Sequence, residues 1–339
     1  LKHLRPGWGQ FFREGVAQWV RGFWWEPKRN AARRALRRYA PTMLHDAFDA
    51  QAAKTPTVSA CVSWGFGRWR NSLNYAELRD RSLVLASSLA AHVVKAPTDV
   101  ELVVAVRLPR VHADFVPLLV ALSRCGFPFV LLSTDLPDHA LQRARNAHIT
   151  GLLRPQLLIV TQTSSEPVAE GEAAGHTVPV VIAVEDLTAC GAPFSLGPGM
   201  ATRDSTATAV ASRPPPLLCF MFTGGTQRTK VVEVTHDMIL FERSAYKHLW
   251  QPRTTPAVVL AHTSVYWGAS ALGQLSIALA YGGTVVWTEA SEAADLRRCV
   301  AEEAVTVLGV VPDHLDLLGP HCPAQDLPSV EVAFTWGER

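Results

Sequence analysis

Apolar positions change rhythm along this chain, and the changes mark out its elements. Leu44, Ala47, Phe48 and Gln51 recur at helical spacing, and Thr55-Pro56 ends the run. Val58 to Val62 reads as a strand, and a turn around Gly65-Phe66-Gly67 leads to Leu73-Asn-Tyr-Ala-Glu-Leu78. A long amphipathic helix follows, with Leu78, Leu83, Leu85, Leu89 and Val93 as its apolar members. Leu102 to Leu108 is apolar except for Arg107, the pattern of a strand covered on both faces. A helix over 113–124, a strand over 127–132, a helix over 138–147 and a strand over 157–161 continue the alternation.

Residues 162–216 interrupt it. They are rich in Ser, Thr, Ala, Gly and Pro and contain one strand, Val178 to Val184, so the segment reads as a low-complexity surface excursion. Leu217 to Phe222 is again a buried strand and runs straight into Thr223-Gly-Gly-Thr-Gln-Arg-Thr-Lys230. Val231 to Val234 forms a short strand, and Thr235-His236-Asp237 caps a helix from Met238. Strands at 258–261, 285–287 and 305–311, joined by helices at 271–280 and 293–303, make a second unit. Strands alternating with helices at this pitch predict an α/β fold with doubly wound, mostly parallel sheets. Right-handed crossovers then gather the strands' C-terminal ends on one edge, where such sheets bind ligands.

Composition adds one asymmetry. Residues 1–40 hold ten Lys/Arg against two Glu, while the rest of the chain holds 22 basic and 28 acidic residues. The basic arm also carries Phe11, Phe12, Trp19, Phe23, Trp24 and Trp25. It reads as a helical lead-in or linker packing its aromatics on a neighbouring domain; membrane contact through it is the less favoured reading. The mildly acidic body excludes a broad nucleic-acid-binding surface. No signal peptide or membrane span is read. The six scattered cysteines have no metal-ligand spacing, so a reduced, cytoplasmic protein without a protein-held metal is expected.

The chemistry concentrates at Thr223–Lys230. Glycines there let backbone N–H groups approach an anion, Thr223 and Thr226 add hydroxyl donors, and Lys230 adds a point charge. The spacing is not the P-loop pattern G-x-x-x-x-G-K-S/T. By itself such a turn fits a phosphate cradle or an ordinary turn.

Neighbouring residues sharpen the choice. Thr223, Gly224, Gly225, Thr226, Lys230 and the pair Thr235-His236 resemble the phosphate-binding loop of the adenylate-forming (acyl-activating) superfamily. Leu44-His-Asp-Ala-Phe-Asp-Ala-Gln-Ala-Ala-Lys-Thr-Pro56 is similar to the opening helix of a nonribosomal peptide synthetase adenylation domain. Leu73-Asn-Tyr-Ala-Glu-Leu78, Leu122-Ser-Arg-Cys-Gly-Phe-Pro-Phe-Val130, Leu327-Pro-Ser-Val330 and Trp336-Gly-Glu338 resemble its later motifs, in order. The resemblance covers residues 41–339 and implies the large N-terminal part of that fold, two stacked αβα units.

It also implies ATP with Mg²⁺, a small-molecule carboxylic acid, and CoA or a phosphopantetheine carrier domain as thiol acceptor. Thr223, Gly224, Gly225, Thr226, Arg228 and Lys230 would hold the polyphosphate, with Thr226 and Lys230 the catalytic pair. Gly337 and Glu338 would lie against adenine and ribose. His236, His262 and Ala269 are candidate acid-binding positions, and His236, directly after a strand and beside the Thr235 cap, is either a substrate-wall or a structural residue. Tyr266 and Trp267 either line an aryl or acyl pocket or are core aromatics. Amino-acid-activating members carry an Asp where this chain has Ala269, and no acid lies between His262 and Leu275, so an α-amino acid is disfavoured. The loop departs from the family, with Gln227-Arg-Thr229 where Thr-Gly-x-Pro is usual. Arg228 then either adds a phosphate charge or marks a degraded loop. The family's later motifs are absent from the residues given, so these are not expected to complete a turnover alone, whether as a fragment or as a divergent non-catalytic relative. The alternative is a non-catalytic nucleotide-binding or interaction module that keeps the fold.

Overall fold

The computed structural model of the chain describes residues 43–65, 69–93, 102–136, 138–162, 180–189, 216–223, 230–253, 256–311 and 327–335. The arm over 1–40 and most of the 162–216 excursion lie outside them.

Helix α1 (Leu44–Lys54) opens with the Met43 N–H donated to Asp46 Oδ2 at 3.0 Å, which satisfies one orphan donor of the helix start. Then follow β1 (Ser59–Trp64), β2 (Arg70–Asn74), α2 (Tyr75–Val93), β3 (Val104–Val106), α3 (Phe115–Cys125), β4 (Phe129–Leu131), α4 (His139–Leu153) and β5 (Leu157–Val160). The excursion contains β6 (Val180–Ala183) and α5 (Val184–Ala189). Then come β7 (Leu217–Thr223), β8 (Lys230–Thr235), α6 (His236–Leu249), β9 (Val258–Ala261), a π-helix (Ala269–Gln274), α7 (Leu275–Ala280), β10 (Thr284–Thr288), α8 (Ala293–Glu302), β11 (Val307–Val310) and β12 (Val332–Thr335).

Three expectations need correction. Arg70–Asn74, given no element in the sequence reading, is an antiparallel edge strand on β1, and its half-exposed alternation is what an edge permits. The helix expected over 271–280 begins earlier, at Ala269, as a π-helical turn. The expected strand over 178–184 is shorter, because Val184 already begins α5.

The strands form two six-stranded sheets, ordered β12-β11-β9-β10-β1-β2 and β6-β5-β3-β4-β7-β8. In each, neighbouring strands are parallel except for one antiparallel edge strand, β2 or β8. Alternation along the strands decides the layers. Cys61, Val259, Ala261 and Val285 of the first sheet share one apolar cluster with Val104, Val106, Phe129 and Leu157 of the second and with α1, α2, α3, α6 and α7. The intervening residues Val62, Leu260, Val286 and Leu308 face away, against Leu296, Cys299 and Val300 of α8. Ala105, Val130, Leu158 and Val160 likewise face Ile149 of α4. The result is two αβα units stacked through shared central helices. Among the described residues no helix is long and apolar enough to cross a membrane.

Candidate functional site

Strand β7 carries the apolar run Leu217–Phe222 to the C-terminal edge of its sheet, where Thr223 ends it. Strand β8 returns antiparallel and begins at Lys230, in register with Thr223. Residues 224–229, with Gly224, Gly225, Thr226 and Arg228, join these two strand ends in sequence and lie outside the described ones. Lys230, the first residue of β8, is exposed. On the other sheet β12 ends at Thr335 on the equivalent edge. Gly337 and Glu338 follow directly and also lie outside the described residues.

His262 and Ala269 reach the same edge, just after β9. His262 is buried, and its Nε2 donates to Ala290 O at 2.5 Å, which fixes the ring against the loop after β10. Ala269 is the first residue of the π-helix, a distortion common at functional sites. His236 goes elsewhere. The register pairs Thr235 with Leu217, at the opposite end of the strands from Thr223. His236 is 1 % exposed, and its Nδ1 accepts the Leu44 N–H at 3.0 Å. The structure thus puts His236 to work holding α1, away from the loop. Tyr266 and Trp267 are packed side chains too. Tyr266 stacks on Phe222 at 6.0 Å, Arg145 lies 4.3 Å from its ring, and Trp267 meets it edge-on at 4.8 Å. That cluster braces the end of β7 immediately before Thr223.

Sequence reasoning missed a polar cluster that joins the two sheets at this edge. Arg110 Nη1 donates to Asp135 Oδ2 at 2.5 Å, and Arg110 Nε donates to Thr288 O at 2.8 Å. Ser264 Oγ donates to Asp135 Oδ1 at 2.6 Å, and Ser133 Oγ donates to the same oxygen at 3.0 Å. Arg110 and Asp135 follow β3 and β4, whereas Thr288 and Ser264 come from the ends of β10 and β9. Both charges are nearly buried, each side chain 8 % exposed. Glu289 beside them has its carboxyl pushed up by burial, with Arg110 pulling it down and Asp135 pushing it up.

Thiol chemistry has no foothold among the described cysteines. Burial pushes the thiols of Cys61, Cys125 and Cys299 up to about 12, and that of Cys219 up as well. Among the described residues no group of three or more His, Cys, Asp or Glu could hold a metal ion.

Comparison with known proteins places this edge in context. Phenyloxazoline synthase MbtB of a Mycobacterium species is 29% identical over 308 residues, 87% of this chain and 22% of that protein. The hybrid PKS-NRPS synthetase phm1 of Pyrenochaetopsis is 26% identical over 275 residues, 79% of this chain and 6% of that protein. The chain thus spans less than a quarter of these relatives. Among solved structures, the N-terminal subdomain of Klebsiella oxytoca NpsA, bound to 3-hydroxyanthranilyl-AMSN, superposes with a TM-score of 0.67 at 17% identity, covering 88% of this chain and 67% of that one. O-succinylbenzoate coenzyme A synthetase of Bacillus subtilis, in complex with AMP, gives 0.64 at 20% identity, covering 86% and 67%. These likenesses establish the fold. The family described as AMP-binding enzyme matches residues 48–339, from within α1 through both sheets and both halves of the ligand edge, and the chain belongs to that family.

Proposed function

We propose that this chain forms the ATP- and acid-binding core of an enzyme that activates a carboxylic acid as its acyl-adenylate, for transfer to a thiol of CoA or a carrier domain. The observation that carries this reading is the Thr223–Lys230 pairing at the sheet edge, within a family match that spans both sheets. The acid's carboxylate attacks the α-phosphorus of ATP, forming a C–O–P linkage and releasing pyrophosphate. Little covalent chemistry then falls to the protein, which positions the reactants and offsets charge.

In this reading the backbone of 224–226 cradles the polyphosphate, Thr226 donates to it, and Lys230 and Arg228 supply positive charge. Exposed Lys230 fits the task, because a point charge on a flexible four-carbon stem is free to swing onto an incoming phosphate. Mg²⁺ would arrive on the ATP and neutralise part of its charge. Gly337 and Glu338, beyond β12, would hold the adenosine end. Ala269 and His262 would border the acid. The neutral Ala269 supports an acid without an α-ammonium group. A non-catalytic module is the less favoured reading, since the neighbouring folds belong to acyl-activating proteins.

ATP–pyrophosphate exchange across a panel of carboxylic acids, in the protein that carries this chain, tests the proposal. One or more acids should drive exchange, and Lys230→Ala should lower it by about tenfold or more. No exchange with any acid would overturn it, and so would undiminished ATP binding and exchange in Lys230→Ala.

A further inference from the structure

The last turns of three central helices meet at the N-terminal edge of the first sheet, the edge opposite Thr335. Gln51 of α1, Lys247 of α6 with Gln251 just beyond it, and Ala280, Tyr281 and Gly282 at the end of α7 line an open pocket of about 330 Å³ there. Gly282 keeps the helices close: its φ is +60, and an added Cβ would lie 2.5 Å from Gln51 Nε2. Two amides line the pocket with donors to spare. Gln51 Nε2 donates to Thr55 Oγ1 at 2.7 Å and Gln251 Nε2 to Lys247 O at 2.6 Å, so each nitrogen keeps a second N–H.

Cations gather here without a countercharge. Lys54 lies one turn beyond Gln51 on α1, and Arg243 one turn before Lys247 on α6. Among the described residues none of Lys54, Arg243 and Lys247 forms an ion pair. Burial lowers the Lys247 ammonium, and Arg243 and Lys54 lower it further, so it sits within repelling distance of both. Arg243 is half-buried and is lowered by burial, with Tyr75 opposing. Tyr75 supplies no negative charge, because burial pushes its hydroxyl up and keeps it protonated.

Helix ends explain part of this. A C-terminus carries about −0.5 of a charge, which favours a lysine in the last turn of α1 and of α6. Three such ends amount to about −1.5 at most, against three formal positive charges. The remainder is close to the charge of a phosphate group, about −1.5 to −2 at neutral pH. Ammonium point charges with amide donors also suit a phosphate better than a planar carboxylate, which an arginine fork would clasp.

We propose that this pocket is an anion site for inorganic phosphate or a small phosphomonoester, held by Lys247, Lys54 and the Gln51 and Gln251 amides, with Arg243 adding charge. It does not rest on the adenylation reading, because the ligand edge lies at the other end of the strands.

Calorimetric titration of the protein that carries this chain tests it, at constant ionic strength set with sodium chloride. The probes are inorganic phosphate, glycerol 2-phosphate and succinate. Phosphate or glycerol 2-phosphate should bind saturably, the tighter of the two showing whether the free ion or the ester is preferred. The double variant Lys54→Gln with Lys247→Gln should weaken that binding by about tenfold or more, and Lys230→Ala should leave it unchanged. Both replaced lysines are exposed, so the double variant keeps the fold, which an unchanged melting temperature without phosphate verifies. The proposal is overturned if neither phosphate probe binds above the chloride background, or if the double variant binds as well as the unaltered protein. Loss of binding in Lys230→Ala alone would move the phosphate to the ligand edge and overturn it too. Succinate binding as tightly as phosphate would overturn the ligand class.

Discussion

His236, open in sequence to a structural or a substrate-wall role, is placed by the structure in a buried structural bond. The pair Thr235-His236 helps identify the loop, and it tempts one to put the imidazole near substrate. Strand register decides otherwise: six residues of β8 separate it from Thr223 along the sheet. Its Nδ1 must stay unprotonated to accept the Leu44 N–H. Burial, then the neighbouring His45, lowers its pKa from 6.5 to about 4, with Asp46 opposing. The ring is therefore neutral in the folded chain down to about pH 4, while the unfolded chain takes up a proton near 6.5. Stability from this group is complete above about 6.5, declines as pH falls and is gone near 4, a loss on the order of 3 kcal/mol. Urea unfolding at pH 7 and pH 4.5 should show the decline, and His236→Asn, which keeps an acceptor but no titration, should flatten it. An equal decline in both proteins would remove His236 as the cause. The place of Lys230 at a strand end after β7 was legible from the sequence, because the apolar runs on either side of the Thr/Gly segment mark two strands. The place of Asp135 was not, because it depends on a residue 129 positions away.

Among the elements, those with strong periodicity were read to within a few residues, and those shaped by contacts were not. Strands such as β5 and β7 announce themselves as apolar runs. The π-helix does not, because its widened turn is held by distant groups: Ser270 Oγ on Thr263 O at 2.6 Å and Gln274 Nε2 on Gly309 O at 2.7 Å. Edge strand β2 was missed because half-exposed Arg70–Asn74 lacks an apolar run. Two glycines separate backbone strain from steric exclusion. Gly126 ends α3 with φ +67 and nothing within 4 Å of an added Cβ, so Gly126→Ala meets strain only and should cost about 1 kcal/mol. Gly283 precedes β10, and an added Cβ would lie 2.0 Å from Ala257 O, whose backbone accepts the Thr284 N–H at 2.8 Å. Gly283→Ala must push β9 and β10 apart and should cost at least about 3 kcal/mol. Denaturant midpoints of the two variants give the comparison. Equal losses would mean that the β9–β10 start yields more easily than its geometry implies.

At the scale of the whole molecule, one apolar cluster runs through the central helices and touches both sheets, whereas the Arg110–Asp135 pair joins them at the ligand edge. The two contribute differently. The cluster makes unfolding a single event, because neither sheet can expose its inner face without exposing the shared helices. The ion pair is nearly buried, so each charge depends on the other for its compensation. Asp135→Ala leaves Arg110 with Thr288 O but no countercharge, and should cost about 3–5 kcal/mol. Arg110→Ala strands Asp135 with the Ser133 and Ser264 hydroxyls and should cost a similar amount. The double variant removes both charges and should cost less than the two single losses added together, with a coupling of about 2 kcal/mol or more. Urea unfolding followed by tryptophan fluorescence and by far-ultraviolet circular dichroism should give coincident single transitions for all four proteins. Additive losses would show the pair to be energetically independent. Separated transitions in the Asp135 variant would show that this pair, rather than the shared core, makes the two sheets unfold together.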